Sequence, residues 1–97
     1  MATFIALFNF TEQGVRAVKD TAKRADAAGK AMKKMGASLR EVYWTLGAYD
    51  GVLIFDAPDE ETATAVLMSI GRLGNVRSHT LRAFGREEIG GILAKAK

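Results

Sequence analysis

The sequence predicts an α+β fold of the ferredoxin-like βαββαβ type, a four-stranded antiparallel sheet with two helices on one face. Three observations predict it. Strand-like and helix-like segments alternate as strand, helix, strand, strand, helix, strand. Each helical segment closes on a glycine, Gly36 or Gly74, that leads directly into a strand. The strands are apolar on both faces, whereas the helices carry a single apolar stripe.

The first strand runs from Thr3 to Phe10, with Phe4, Ile5, Leu7, Phe8 and Phe10 on both parities. Thr11 suits a helix N-cap and Glu12 a first turn, while Gly14 is a poor helix former. Val15, Val18, Ala22, Ala25, Ala28, Met32 and Met35 then recur at steps of three or four. They predict one face of a long helix that ends at Gly36. Ser38 to Leu46 reads as the second strand and Gly47 to Gly51 as a turn. Val52-Leu53-Ile54-Phe55 is a continuous apolar run, as in a buried third strand. Pro58 ends it, Asp59 caps the second helix, and Glu60 and Glu61 fill the first turn. Ala63, Val66, Leu67, Ile70 and Leu73 give that helix its apolar face, and Gly74-Asn75 stops it. Val76 to Phe84 is the fourth strand. The expected organisation is one domain over residues 1–84 and a C-terminal helix or tail over 85–97.

Composition narrows the chemistry. The chain has 97 residues, 48% hydrophobic and 26% charged, which suits one globular domain. It has no cysteine, so disulfides, Cys-based zinc sites, iron–sulfur clusters and thiol nucleophiles are excluded. There is one His and one Trp. No apolar run is long enough for a bilayer span and no signal peptide is legible, so a cytoplasmic protein with no membrane partner is expected. The net charge of +3 is too small for a typical nucleic-acid protein. Between Thr11 and Ala37, seven Lys and Arg stand against three Asp and Glu, with no aromatic to stack on a base. That stretch is either a solvated helix face or an anion surface. No phosphate loop, dinucleotide fingerprint or nucleophile elbow is present. Met32 and Met35 read as core, and no metal site is expected.

Helices on one face leave the other side of such a sheet open in a monomer. Yet Ile5 and Leu7 oppose Phe4 and Phe8 in the first strand, and Val52 and Ile54 oppose Leu53 and Phe55 in the third, so both faces are apolar. An apolar sheet face of this kind calls for cover, and a second copy of the chain is the simplest cover.

Two stretches carry a family resemblance. One is Val42-Tyr43-Trp44-Thr45-Leu46-Gly47-Ala48-Tyr49-Asp50, continuing through Ala57-Pro58-Asp59 to Glu61. The other is Gly71-Arg72-Leu73-Gly74-Asn75-Val76-Arg77-Ser78-His79-Thr80-Leu81-Arg82-Ala83-Phe84. With the opening Asn9-Phe10-Thr11-Glu12-Gln13-Gly14, they resemble the GYD domain family of small bacterial and archaeal proteins. The namesake tripeptide departs here, because Ala48 precedes Tyr49-Asp50 and the glycine stands at Gly47. The resemblance covers the chain up to Phe84. It implies a dimeric α+β barrel, and it implies no activity.

The candidate ligand-binding residues are Asn9, Tyr43, Trp44, Tyr49, Asp50 and His79. His79 is the only histidine, the residue type suited to proton transfer near neutrality, which makes it the candidate proton donor or acceptor; otherwise it is a surface residue. Tyr49 and Asp50 either build a turn or place a hydroxyl and a carboxylate at a cavity mouth. Trp44 suits a core or an interface, and Asn9 a strand end or a buried polar contact. The expected function is an oligomeric binding or assembly module with a cavity between packed sheets. Its partners are further copies of itself and a small apolar or aromatic ligand, with no cofactor. The alternative is a cofactor-independent or haem-using oxygenase or isomerase, by analogy with related barrels that set Asn, Trp and His around a ligand. A third reading is an anion-responsive regulator acting through Lys30, Lys33 and Lys34 on the first helix.

Overall fold

Nine residues near the start, Ala2–Phe10, form β1, an inner strand of the sheet. In the computed structural model, which describes residues Met1–Lys97, α1 (Glu12–Arg16), a 3-10 turn (Val18–Asp20) and α2 (Thr21–Lys34) follow. They lead to β2 (Ser38–Trp44), β3 (Gly51–Ala57), α3 (Glu60–Gly71), β4 (Val76–Ala83) and α4 (Arg86–Lys95). The strands lie in the order β2-β3-β1-β4, and every neighbouring pair is antiparallel. This is the predicted ferredoxin-like order. No helix is long and apolar enough to cross a membrane.

Alternation sorts the side chains of β1 and β3. Phe4, Ala6 and Phe8 on β1 are buried with Leu53, Phe55 and Ala57 on β3. Met32 from α2 and Ala63 and Val66 from α3 close over them. The rings of Phe4 and Phe55 stack with centroids 5.5 Å apart. The core therefore lies between the sheet and the two longer helices. Gly36 directly follows the cap of α2 and Gly74 closes the turn after α3, at φ of +86° and +83°, the left-handed conformation that a Cβ would disfavour. Asp59 caps α3 by accepting from the Thr62 amide at 2.7 Å. That bond holds the Asp59 carboxyl below the usual carboxylate range.

The first helix differs from the expectation. It is not one long helix from Val15 to Met35 but a short α1, a 3-10 turn and then α2. Tertiary contacts hold the break. The Arg24 guanidinium donates to the Ala17 carbonyl at 2.9 Å, an acceptor that a continuous helix would use internally. Gly14 lies so close to the Asn75 carbonyl that a Cβ on it would stand 2.0 Å from that oxygen. Thr11 anchors the same junction. Its hydroxyl accepts from the Gly14 amide at 3.1 Å and donates to the Gly74 carbonyl at 2.5 Å, while its own amide donates to the Asn75 carbonyl at 3.1 Å. Val15 and Val18, expected on the core face, are consequently exposed. The second and fourth strands are also shorter than expected, because Leu46 and Phe84 lie beyond their ends and are exposed. Beyond β4, α4 is held chiefly by Arg82, which bridges to Glu88 at 3.1 Å and lies over the Phe84 ring.

Candidate functional site

Residues directly opposite in an antiparallel pair share a face. Phe4–Phe55 and Ala6–Leu53 face the helices, so Ile5–Ile54 and Leu7–Val52 face away. On β4, Leu81 and His79 stand beside Ile5 and Leu7. On β2, Glu41 and Tyr43 stand beside Ile54 and Val52. Two rows cross the sheet: Glu41–Ile54–Ile5–Leu81 and Tyr43–Val52–Leu7–His79. Their centre is aliphatic and half-buried, while the margins Tyr43 and Leu81 are about half exposed. The rows are also polar in one sense across the sheet. The β2 margin carries Glu41, and the β4 margin carries His79 and Arg77. Hydrogen bonding to the Glu41 carboxylate, and then its charge, raises the Tyr43 phenol above its ordinary range.

The Ala48-Tyr49-Asp50 turn closes one end of these rows. The Asp50 carboxylate accepts from the Phe10 amide at 2.8 Å, and the Asp50 amide donates to the Phe8 carbonyl at 2.9 Å. Asn9 donates through Nδ2 to the Ala48 carbonyl at 2.9 Å. The Thr45 hydroxyl donates to the Tyr49 carbonyl at 2.6 Å. Asp50 and Asn9 therefore pin the turn to the end of β1, and their polar atoms are engaged with backbone. Tyr49 meets His79 edge to face, with ring centroids 6.0 Å apart. Arg77 pairs with Asn9 beside them.

The six predicted residues are thus divided. Asn9, Tyr49, Asp50 and His79 gather at one end of the sheet. Tyr43 shares a row with His79 but lies three strand spacings away, about 14 Å. Trp44 is on the opposite face. It donates from Nε1 to the Thr21 hydroxyl at the start of α2, at 3.0 Å. No hydrogen-bonded acid orients His79, and no three His, Cys, Asp or Glu side chains cluster to hold a metal ion.

The cavity in the chain lies on Trp44's face. It has a volume of about 330 Å³ and sits between α2, α3 and the sheet. Its wall is mostly apolar: Ala25, Ala28, Met32, Leu53, Val66 and Ile70, with Trp44 and Arg24 also lining it. Such a space far exceeds the gaps of a close-packed interior. The residues that shape it, Arg24, Thr21 and the alanines of α2, are not among the candidates read from the sequence. The signal was the run of small residues on α2: alanine on a helix face leaves room unless the helix moves closer.

The strand order, the two covering helices and the uncovered apolar face define a small ferredoxin-like α+β domain. The GYD domain family matches residues 4–93 of the chain, reaching into α4. The chain belongs to that family. One relative, from Thermus thermophilus, is 27% identical over 84 residues, which is 86% of this chain and 88% of that protein. It bears the name glutamine synthetase and cystathionine beta-lyase binding protein. A crystal structure of a Thermus thermophilus protein is similar at 29% identity and a TM-score of 0.57, over 88% of this chain and 95% of that one. The crystal structure of MtbAldR shares the fold, with a TM-score of 0.65 at 14% identity. The chain spans about half of MtbAldR, 52% of its length.

Proposed function

We propose that the chain is a binding module that works as a homo-oligomer joined through its open sheet face. The observation that carries this is the aliphatic centre of that face: Ile5, Leu7, Val52 and Ile54 on the inner strands, with Leu81 beside them. An aliphatic patch across the two inner strands, rimmed by polar margins, is the form of an interaction site. The dimer we propose has its two-fold axis running along the strands. Such a rotation lays the β2 margin of one copy on the β4 margin of the other. The rotation keeps each row in register with its copy, so Glu41 lies over Leu81. The same rotation brings Tyr43 of the second copy toward His79 and Tyr49. A small apolar or aromatic ligand fits there, between the sheets and beside Asn9 and Asp50. The Thermus thermophilus relative, named for the two enzymes it binds, supports extending the module's partners to other proteins.

An oxygenase- or isomerase-like activity is the second reading. One observation favours it, the contact of Tyr49 with His79. The absence of an orienting acid on His79 leaves the binding module as the better supported reading.

Gel filtration with light scattering tests the proposal on Leu81→Glu. Leu81 is 53% exposed, so the substitution leaves the monomer's own packing intact. A carboxylate buried between sheets costs several kcal/mol, so dimer affinity falls roughly a hundredfold or more. A dimer unchanged by Leu81→Glu refutes the open face as the interface.

A further inference from the structure

We infer that the cavity between α2 and α3 binds a small amphipathic anion, a carboxylate with an apolar tail, at a site distinct from the open sheet face. The cavity supplies the apolar half. At about 330 Å³ it falls at the lower end of small-molecule sites, and its lining is mostly hydrocarbon. Water is a poor filling for a space with so few polar groups, whereas an alkyl or aryl tail suits it.

Arg24 supplies the anionic half. It lines the cavity and is half-buried. Its guanidinium donates to the carbonyl of Ala17 and, at 3.5 Å, to that of Gly14. No carboxylate pairs with it: the ion pairs of the chain are Arg16–Glu12, Arg40–Asp56 and Arg82–Glu88. A guanidinium has five donors, so several remain for a ligand carboxylate. The rest of α2 adds a field of the same sign. Lys23, Lys30, Lys33 and Lys34 share that helix with one acid, Asp26, and none of them is ion-paired. Such a field draws anions toward the mouth. The basic residues of α2 and the cavity beneath that helix thus become parts of one site.

Trp44 is the only tryptophan in the chain, and it lines this cavity with its indole N–H bonded to Thr21. Its fluorescence therefore reports filling directly. The experiment titrates the full chain with decanoate and with decanol, read by Trp44 emission and by calorimetry. Decanoate binds saturably and more tightly than decanol by roughly tenfold, which one charge-assisted contact supplies. Arg24→Gln removes that advantage while leaving decanol unchanged. Ala28→Phe fills the space and weakens both probes. Circular dichroism confirms that each variant is folded. If Arg24→Gln unfolds the chain, the salt dependence of the unmodified protein decides: decanoate binding weakens with added salt and decanol binding does not. Three results overturn the inference: no saturable response to about 1 mM decanoate, equal affinity for the two probes, or full binding by folded Ala28→Phe. Leu81→Glu retains decanoate binding whether or not it dimerises. The fate of the sheet interface and that of this site are therefore read separately.

Discussion

Replacing Gly14 by alanine sets two effects of opposite sign against each other. Gly14 lies in α1, where alanine is favoured over glycine by about 1 kcal/mol. Helix propensity alone therefore makes Gly14→Ala stabilising. The new Cβ, however, stands 2.0 Å from the Asn75 carbonyl oxygen and 3.0 Å from its carbon. Both partners are backbone, so neither yields by rotating a side chain. Restoring an ordinary contact moves α1 away from the α3–β4 connection by more than an ångström. That movement breaks the bonds Thr11 makes there, from its amide to Asn75 and from its hydroxyl to Gly74. Each is worth about 1 kcal/mol, and overpacking adds about 1–3 kcal/mol. Against the gain of about 1 kcal/mol, the net is a destabilisation of about 2–4 kcal/mol. At about 4–8 °C per kcal/mol for a domain this small, Tm falls by at least about 8 °C. Thermal and urea unfolding followed by circular dichroism measure it. Gly71→Ala is the control. It is also helical, its φ is not positive and nothing lies within 4 Å of its Cβ, so it stabilises by up to about 1 kcal/mol. A Gly14→Ala chain as stable as the unmodified protein would refute the argument that this junction fixes the break in the first helix.

Further outcomes follow from the same contacts. Thr11→Ala removes the α1 cap and the bond to Gly74, costing about 1–2 kcal/mol, while Thr11→Ser keeps both and loses less than half of that; urea midpoints distinguish them. The Asp59 carboxyl is lowered by the Thr62 amide, and the Glu88 carboxyl by the Gly85 amide and Arg82. Folded values below the unfolded ones mean that this stabilisation is complete above the ordinary carboxylate range, about pH 4, and is lost as pH falls through the folded values. Urea unfolding from pH 7 to pH 3 shows the decline. Asp59→Asn keeps a capping oxygen without titrating and flattens it; an unaltered slope would exclude Asp59 from the effect. Phe55→Ala, at the most enclosed aromatic of the core, costs about 3–5 kcal/mol by chemical unfolding, and a loss below 1 kcal/mol would contradict the core assignment.

Much of this architecture is legible in local chemistry. Pro58-Asp59-Glu60-Glu61 announces a helix start, and Asp59 caps it. Gly36 and Gly74 announce left-handed helix ends, and both adopt positive φ. Apolar residues on both parities of the first and third strands announce two apolar faces, and the register assigns Ile5, Leu7, Val52 and Ile54 to the one away from the helices. What was not legible depends on contacts distant in sequence. The break after α1 rests on Arg24 reaching back to Ala17 and on Gly14 meeting Asn75, neither of which periodicity encodes.

The candidate site was legible in part for a related reason. The irregularity between Leu39 and Glu41 shifts the pairing of β2 by one residue. A bulge of this kind resets which parity faces the core. Alternation alone puts Tyr43 and Trp44 on opposite faces, and the bulge decides that Tyr43 takes the open face and Trp44 the helix face. In sequence Asp50 and Asn9 suit either a structural or a ligand-binding role, and their side chains bond backbone across the turn. The cavity under α2 escaped because alanines at helical spacing mark an apolar face without saying how closely it approaches the sheet.

Sedimentation equilibrium of the unmodified chain tests the central claim most directly, because an apolar open sheet face needs a partner whatever else the protein binds. A mass of two chains, held down to low micromolar concentration, is the result this account predicts. A folded monomer at about 100 µM, with Ile5, Leu7, Val52 and Ile54 left facing water, would contradict it.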